Sequence, residues 1–168
     1  IVAGNLFDLG EVTGLRLESM ALPAAYRRLF PLPTRGIAGT RRATGVMDGP
    51  MIGSIIKPNV GLRPFETAEL VGRLCAAGLD FIKDDELHAD PPYAPLAERV
   101  AAVMPEIRRV AEATGKKAMY AFNITGDVEH MLRGHDLVKK HGGTCVMINV
   151  NSVGFAALPL AVRAAGAR

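Results

Sequence analysis

From residue 51 onward, short apolar runs alternate four times with longer stretches of helical period, and this alternation constrains the fold more than any other feature. "MIGSIIK" (51–57), "LDFIK" (79–83), "KAMYAFNI" (117–124) and "TCVMINV" (144–150) read as strands. "PFETAELVGRLCAAG" (64–78) places Phe65, Ala68, Leu70, Val71, Leu74 and Cys75 at helical spacing and stops at Gly78. "APLAERVAAVMPEIRRVAEATG" (94–115) is a second helix, which Pro105 is expected to kink or split. "DVEHMLRGHDLVKKHGG" (127–143) is a third, and "FAALPLAVRAAG" (155–166) opens a fourth. Strands linked by helices imply a parallel α/β sheet. Their near-continuous apolar runs suit strands covered on both faces. A doubly wound sheet and half of a (β/α)8 barrel both fit this pattern.

Residues 1–47 follow another rule. "IVAGN" is a short strand candidate, "GLRLESMALP" alternates like a sheet strand, and "AAYRRLF" is a short amphipathic helix. Pro31, Pro33, Gly36 and Gly39 then mark a linker. The reading is the end of a separate α+β domain plus linker over 1–47, followed by four βα units over 48–168. The start at Ile1 and the close at "RAAGAR" read as the cut ends of a longer chain.

Composition excludes several classes. Twenty Lys and Arg against 17 Asp and Glu leave a net charge of +3, too mild for a nucleic-acid partner. "RRAT" (41–44) reads as a short solvated loop. No run approaches the ~18 apolar residues of a membrane span, and no secretory signal is read. Cys75 and Cys145 have no metal-ligand spacing and read as buried thiols of a cytoplasmic protein. Neither a GxGxxG fingerprint nor a P-loop is present, which argues against nucleotide binding.

Active sites of parallel α/β folds form at the carboxyl ends of the strands. Every strand here ends in polar residues: Lys57, then Lys83-Asp84-Asp85-Glu86, then Asn123, then Asn149 and Asn151. Side chains alternate along a strand, so Lys83 and Asp85 share a face, with Glu86 at the turn. Two carboxylates beside an amine suit a hard cation such as Mg2+, although an unmodified lysine would repel it. A plain Lys–Asp ion pair with helix-capping acids is an equally good reading of the spacing. His88 reads as a solvated loop residue, and His130, His135 and His141 as surface positions of one helix.

"GSIIKPNVGL" followed by "GLDFIKDDE" resembles the large chain of ribulose-bisphosphate carboxylase (RuBisCO) and its RuBisCO-like relatives, which pair "KPKxGL" with "GxDxxKDDE" at two strand ends. "IVAGNLF…LRLESMALPAAY" is similar to the family's "IVGNVF…LRLEDLRIPxAY". The likeness spans essentially the whole chain. It implies the first half of a (β/α)8 TIM barrel after the end of a ferredoxin-like α+β domain. It also implies that Lys83 reacts with CO2 to form a carbamate, and that this carbamate, Asp85 and Glu86 hold Mg2+. Lys57 matches the proton-transfer lysine, Asn5 an asparagine lent to a neighbouring subunit's site, and Asn123 a substrate-side position on the third strand. Asp84, on the opposite face, is expected to be structural. The implied partners are a small phosphorylated sugar acid or ketose and a second copy of the chain, in a homodimer or higher oligomer with a shared site.

Two departures point away from bisphosphate carboxylation: Asn59 replaces the second lysine of "KPK", and Asn149 replaces an aspartate near the end of strand four. "FIKDDELHADPPYAPLAERV" and "MYAFNIT…GGTCVMINVNSVG" look most like the branch that decarboxylates 3-oxo-isoapionate 4-phosphate, a carbon–carbon lyase working through a metal-stabilised enediolate. The alternatives are the methionine-salvage 2,3-diketo-5-methylthiopentyl-1-phosphate enolase branch, ribulose-bisphosphate carboxylase itself, and a non-catalytic binding protein.

Overall fold

A computed structural model of the chain describes residues 10, 11, 13–29 and 35–167. The chain divides into two compact units, 1–30 and 31–168. In the first, α1 (Ala24–Arg27) is the short helix expected from "AAYRRLF". Residues 14–23 form no strand, although their apolar alternation suggested one. Alternation marks a face, but a strand exists only where another strand takes its N–H and C=O groups. The strand expected at "IVAGN" lies outside the described residues.

The second unit begins with α2 (Gly36–Thr44), where the sequence suggested a linker and a solvated loop. Gly36 takes φ 53 at the helix start and Gly45 takes φ 76 just past its end, so two of the glycines punctuate a helix rather than abolish it. The strand–helix alternation follows as β1 (Gly53–Ile55), α3 (Pro64–Ala76), β2 (Phe81–Lys83), α4 (Leu96–Thr114), β3 (Met119–Asn123), α5 (Val128–Lys140), β4 (Cys145–Met147) and α6 (Val150–Ala167). All neighbouring strands are parallel, and their order is β1-β2-β3-β4. A doubly wound sheet reverses its strand order at a switch point, whereas a barrel adds each strand beside the last. The observed order is that of a barrel's first half.

The strands are shorter than their apolar runs, but the ladder continues past them. The Ile56 amide donates to the Lys83 carbonyl at 2.9 Å, and the Met119 amide to that of Asp80 at 2.9 Å. Helix starts follow their local chemistry. Pro64 opens α3, and the Glu66 carboxylate accepts from the Arg63 amide at 2.7 Å. Asp127 caps α5 by accepting from the His130 amide at 2.7 Å. α4 runs through Pro105 without a break. Pro105 and Ala101 both lie on its exposed face, where water can take the Ala101 carbonyl that loses its partner. α6 does kink, at Gly154 (φ 77, ψ 163), so a helical turn precedes the segment expected from 155 onward.

The core lies between the sheet and α3–α5. Ile82, Val71, Val100, Val103, Phe122 and Ile124 are essentially solvent-free within it. At the amino ends of the strands, Asp80 accepts from the Ile52 amide at 2.7 Å and pairs with Lys116 at 2.5 Å, tying β1, β2 and the approach to β3 together.

Candidate active site at the strand ends

β1 and β2 end side by side, with Ile55 in register with Lys83, which is in register with Ala121 of β3. Buried Ile56 extends β1 by one residue, and Lys57 emerges beyond it. The Lys57 amine pairs with the carboxylate of Asp85, whose side chain is only 3% exposed. The Lys83 amine pairs with Glu86 at 2.6 Å and also approaches the Asp84 carbonyl. Two amines and two carboxylates from adjoining strand ends therefore form one cluster, open to solvent through Lys57 and Glu86.

The charges shape one another. Burial raises the Asp85 carboxyl, but the bond from Lys57, the Leu87 amide at 2.9 Å and the charge of Lys83 outweigh it and hold the group below its ordinary value. The bond from Lys83 does the same for Glu86. Both acids are thus ionised acceptors at neutral pH.

Asp84 points the other way and is completely buried, as expected for a structural residue. It accepts from the Tyr120 hydroxyl at 2.5 Å, the Asn123 amide at 2.8 Å and the Arg99 guanidinium at 3.2 Å. Burial first, and the charge of Asp84 next, push the Tyr120 hydroxyl well above its usual pKa, so it remains a donor. Arg99, also fully buried, donates to the carbonyls of Ala89 at 2.6 Å and Ala94 at 2.7 Å and holds the β2–α4 loop. Sequence reasoning missed Arg99 and Tyr120 altogether. Each looks like an ordinary member of its element, and the one available signal was that a buried acid at 84 needs donors.

His88 corrects the expectation of a solvated loop residue. It is 1% exposed, packed 5.8 Å from the Tyr93 ring, and neither ring nitrogen has a hydrogen-bond partner. Burial and then the charge of Arg99 lower its pKa, so it is neutral. Asn123 is fully buried. Its amide nitrogen donates to the carbonyls of Asp85 at 2.9 Å and Glu86 at 3.0 Å, and its oxygen accepts from the Thr125 amide at 3.0 Å. Both amide hydrogens of Asn123 are thus committed to the backbone. Asn149 follows β4 and accepts from the Asn151 amide. Asn5 lies outside the described residues. A cavity of about 780 Å3 opens at the opposite, amino-terminal end of the sheet, between α2, Asp80 and Lys116, away from this cluster.

The donor set can be tested against a divalent cation. Among the described residues, no three Asp, Glu, His or Cys side chains are grouped to hold a metal ion. Asp85 and Glu86 supply two hard oxygen donors, and the Lys83 amine lies between Glu86 and Met147. As an amine it competes with a cation; with a carboxyl group added to its nitrogen it becomes a third anionic oxygen donor. The residues fit an oxygen-seeking ion such as Mg2+ on that condition.

The family profile described as "Ribulose bisphosphate carboxylase large chain, catalytic domain" matches residues 36–166. The chain is 53% identical over 156 residues to a 3-oxo-isoapionate-4-phosphate decarboxylase of Rhizobium etli, covering 92% of this chain and 37% of that protein. It is 54% identical over 153 residues to a 3-oxo-isoapionate-4-phosphate transcarboxylase/hydrolase of Xanthobacter autotrophicus, covering 91% of this chain and 37% of that protein. Its fold superposes on the crystal structure of a rubisco-like protein from Burkholderia fungorum with a TM-score of 0.90 and 60% identity, covering 97% of this chain and 40% of that one. The chain thus spans well under half the length of the relatives it matches.

Proposed function

The chain belongs to the RuBisCO large-chain family, and on that footing we propose that the full protein is a Mg2+-dependent carbon–carbon lyase that decarboxylates 3-oxo-isoapionate 4-phosphate. The observation that carries this reading is the convergence of Lys57, Lys83, Asp85 and Glu86 at two adjoining strand ends in a chain 53% identical to a decarboxylase of that substrate.

Lys83, carbamylated by CO2, Asp85 and Glu86 would hold the metal. Bound there, Mg2+ would supply the positive charge that offsets an enediolate oxygen as CO2 leaves. The rest falls to the chain's own groups. Cleavage of the bond between the carboxylate and its α-carbon releases CO2 and leaves the electron pair on the adjacent oxygen–carbon framework. Lys57 holds a proton at Nζ beside Asp85 and delivers it to that carbon. Buried Asp84, Arg99 and Tyr120 form the rigid floor under the cluster. The protein would work as a homodimer or higher oligomer, as the resemblance implies.

The Xanthobacter relative, named a transcarboxylase/hydrolase of the same compound, keeps a second outcome in view. Incubating the full-length protein with 3-oxo-isoapionate 4-phosphate, and separately with 2,3-diketo-5-methylthiopentyl 1-phosphate, tests the proposal. Release of CO2 and a phosphorylated tetrulose from the first, with the second untouched, is the expected result. Turnover of the second compound, or a carboxyl group retained in the products of the first, would overturn it.

A further inference from the structure

Asp85 and Glu86 are neighbours in sequence, and in an extended strand their side chains would leave on opposite faces. A shared metal centre needs both on one side. Something must take the chain out of the strand conformation between Asp85 and Glu86 and hold it there. We infer that Asn123 is this positioning residue: its side-chain amide gathers the carbonyls of Asp85 and Glu86 and so sets the directions of both carboxylates. The inference rests on the metal reading above.

The geometry is specific. In an extended segment, consecutive carbonyls point to opposite sides. Here both reach one nitrogen, Nδ2 of Asn123, at 2.9 and 3.0 Å. That arrangement exists only while residues 85 and 86 turn. The amide cannot flip without loss, because Oδ1 accepts from the Thr125 amide at 3.0 Å. The Asn123 backbone is fixed too, its N–H donating to Asp84 at 2.8 Å. Asp84 is in turn held by Arg99 and Tyr120. One chain of bonds therefore runs from α4 through Asp84 and Asn123 to the backbone that carries the two acids. Asn123 has no solvent-exposed surface, so it acts through the backbone rather than on a ligand directly.

The test uses the full-length protein, Mn2+ as the probe, and bicarbonate present throughout. Binding is followed by the loss of the free-ion paramagnetic resonance signal, and folding by the melting temperature. Asn123→Leu keeps the branched shape and removes both donors; Asn123→Ala is carried alongside it, so that a folded variant is in hand if the larger side chain is not accommodated. Val110→Ala, a core change in α4 away from the site, is the control for general destabilisation. The expected result is Mn2+ affinity weaker by about tenfold or more in a folded Asn123 variant, the size seen when groups supporting metal ligands are removed. The Val110 variant should melt lower yet bind as the parent does. A folded Asn123 variant that binds Mn2+ like the parent, or a Val110 variant weakened to the same degree, would overturn the positioning role while leaving the metal site standing. A parent that binds no Mn2+ would instead remove the metal reading, and this inference with it.

Discussion

The Lys57 side chain is 58% exposed, while the Asp85 side chain that it pairs with is 3% exposed. In the proposed mechanism this amine, paired to a buried carboxylate, is the proton donor. In the full-length protein, under the proposed activity, Lys57→Met is expected to lower kcat by about a hundredfold or more while KM changes little. A risen KM with kcat preserved would instead mark Lys57 as a charge clamp. Asp80 gives a cleaner acid-limb prediction, being remote from the site. The bond from Lys116, then that from the Ile52 amide, hold its carboxyl below the ordinary value despite burial. A depressed folded pKa adds stability that is fully present above the unfolded value and is lost as pH falls through the folded one. The stability gap between the parent and Asp80→Asn should therefore be constant near neutral pH and close on acidification below the ordinary aspartate range. Lys57, Lys83, Asp85 and Glu86 were legible in the sequence because each stands at a strand end. Arg99, Tyr120 and the burial of His88 were not, since alternation along one element says nothing about which residues of another element meet it.

α4 is the element that ties the site to the core. It buries Val100, Val103, Met104 and Ile107 against its neighbours while Arg99 reaches back to Asp84 and the β2–α4 loop. Removing one member of a fully buried ion pair leaves the other uncompensated. Arg99→Met is expected to lower unfolding free energy by about 3–5 kcal/mol in denaturant titration. α5 depends on a small residue instead. A Cβ at Gly134 would lie 3.0 Å from Ile124 and 3.1 Å from Leu96, so the helix sits close on the end of β3. Gly134→Val is expected to cost about 1–3 kcal/mol by overpacking, measured the same way. The sequence marked all four strands and their helices, because period and β-branched runs are local properties. It misread α2, where glycines were counted as breakers. It also placed a strand at 14–23, where pairing depends on groups that alternation cannot identify.

At the scale of the whole molecule, the sheet has two edges, β1 and β4, that pair with no other strand among the described residues. Phe155 is 82% exposed and Ile37 80% exposed. Unpaired edges and apolar surface of this kind favour association. A chain of these 168 residues alone is expected to show concentration-dependent sedimentation. The parallel order β1-β2-β3-β4 was half legible in the sequence: alternation required parallel strands but left barrel and doubly wound sheets equal, and the paired strand-end motifs separated them. The central claim, that this rim assembles a metal centre on a modified lysine, is tested most directly by one anomalous-difference map. Crystals of the full-length protein grown with Mn2+ and bicarbonate should show a single strong peak about 2.1–2.2 Å from oxygens of both Asp85 and Glu86, with density on the Lys83 nitrogen extended by a carboxyl group. No peak between those acids, with the Lys83 amine still paired to Glu86, would contradict it.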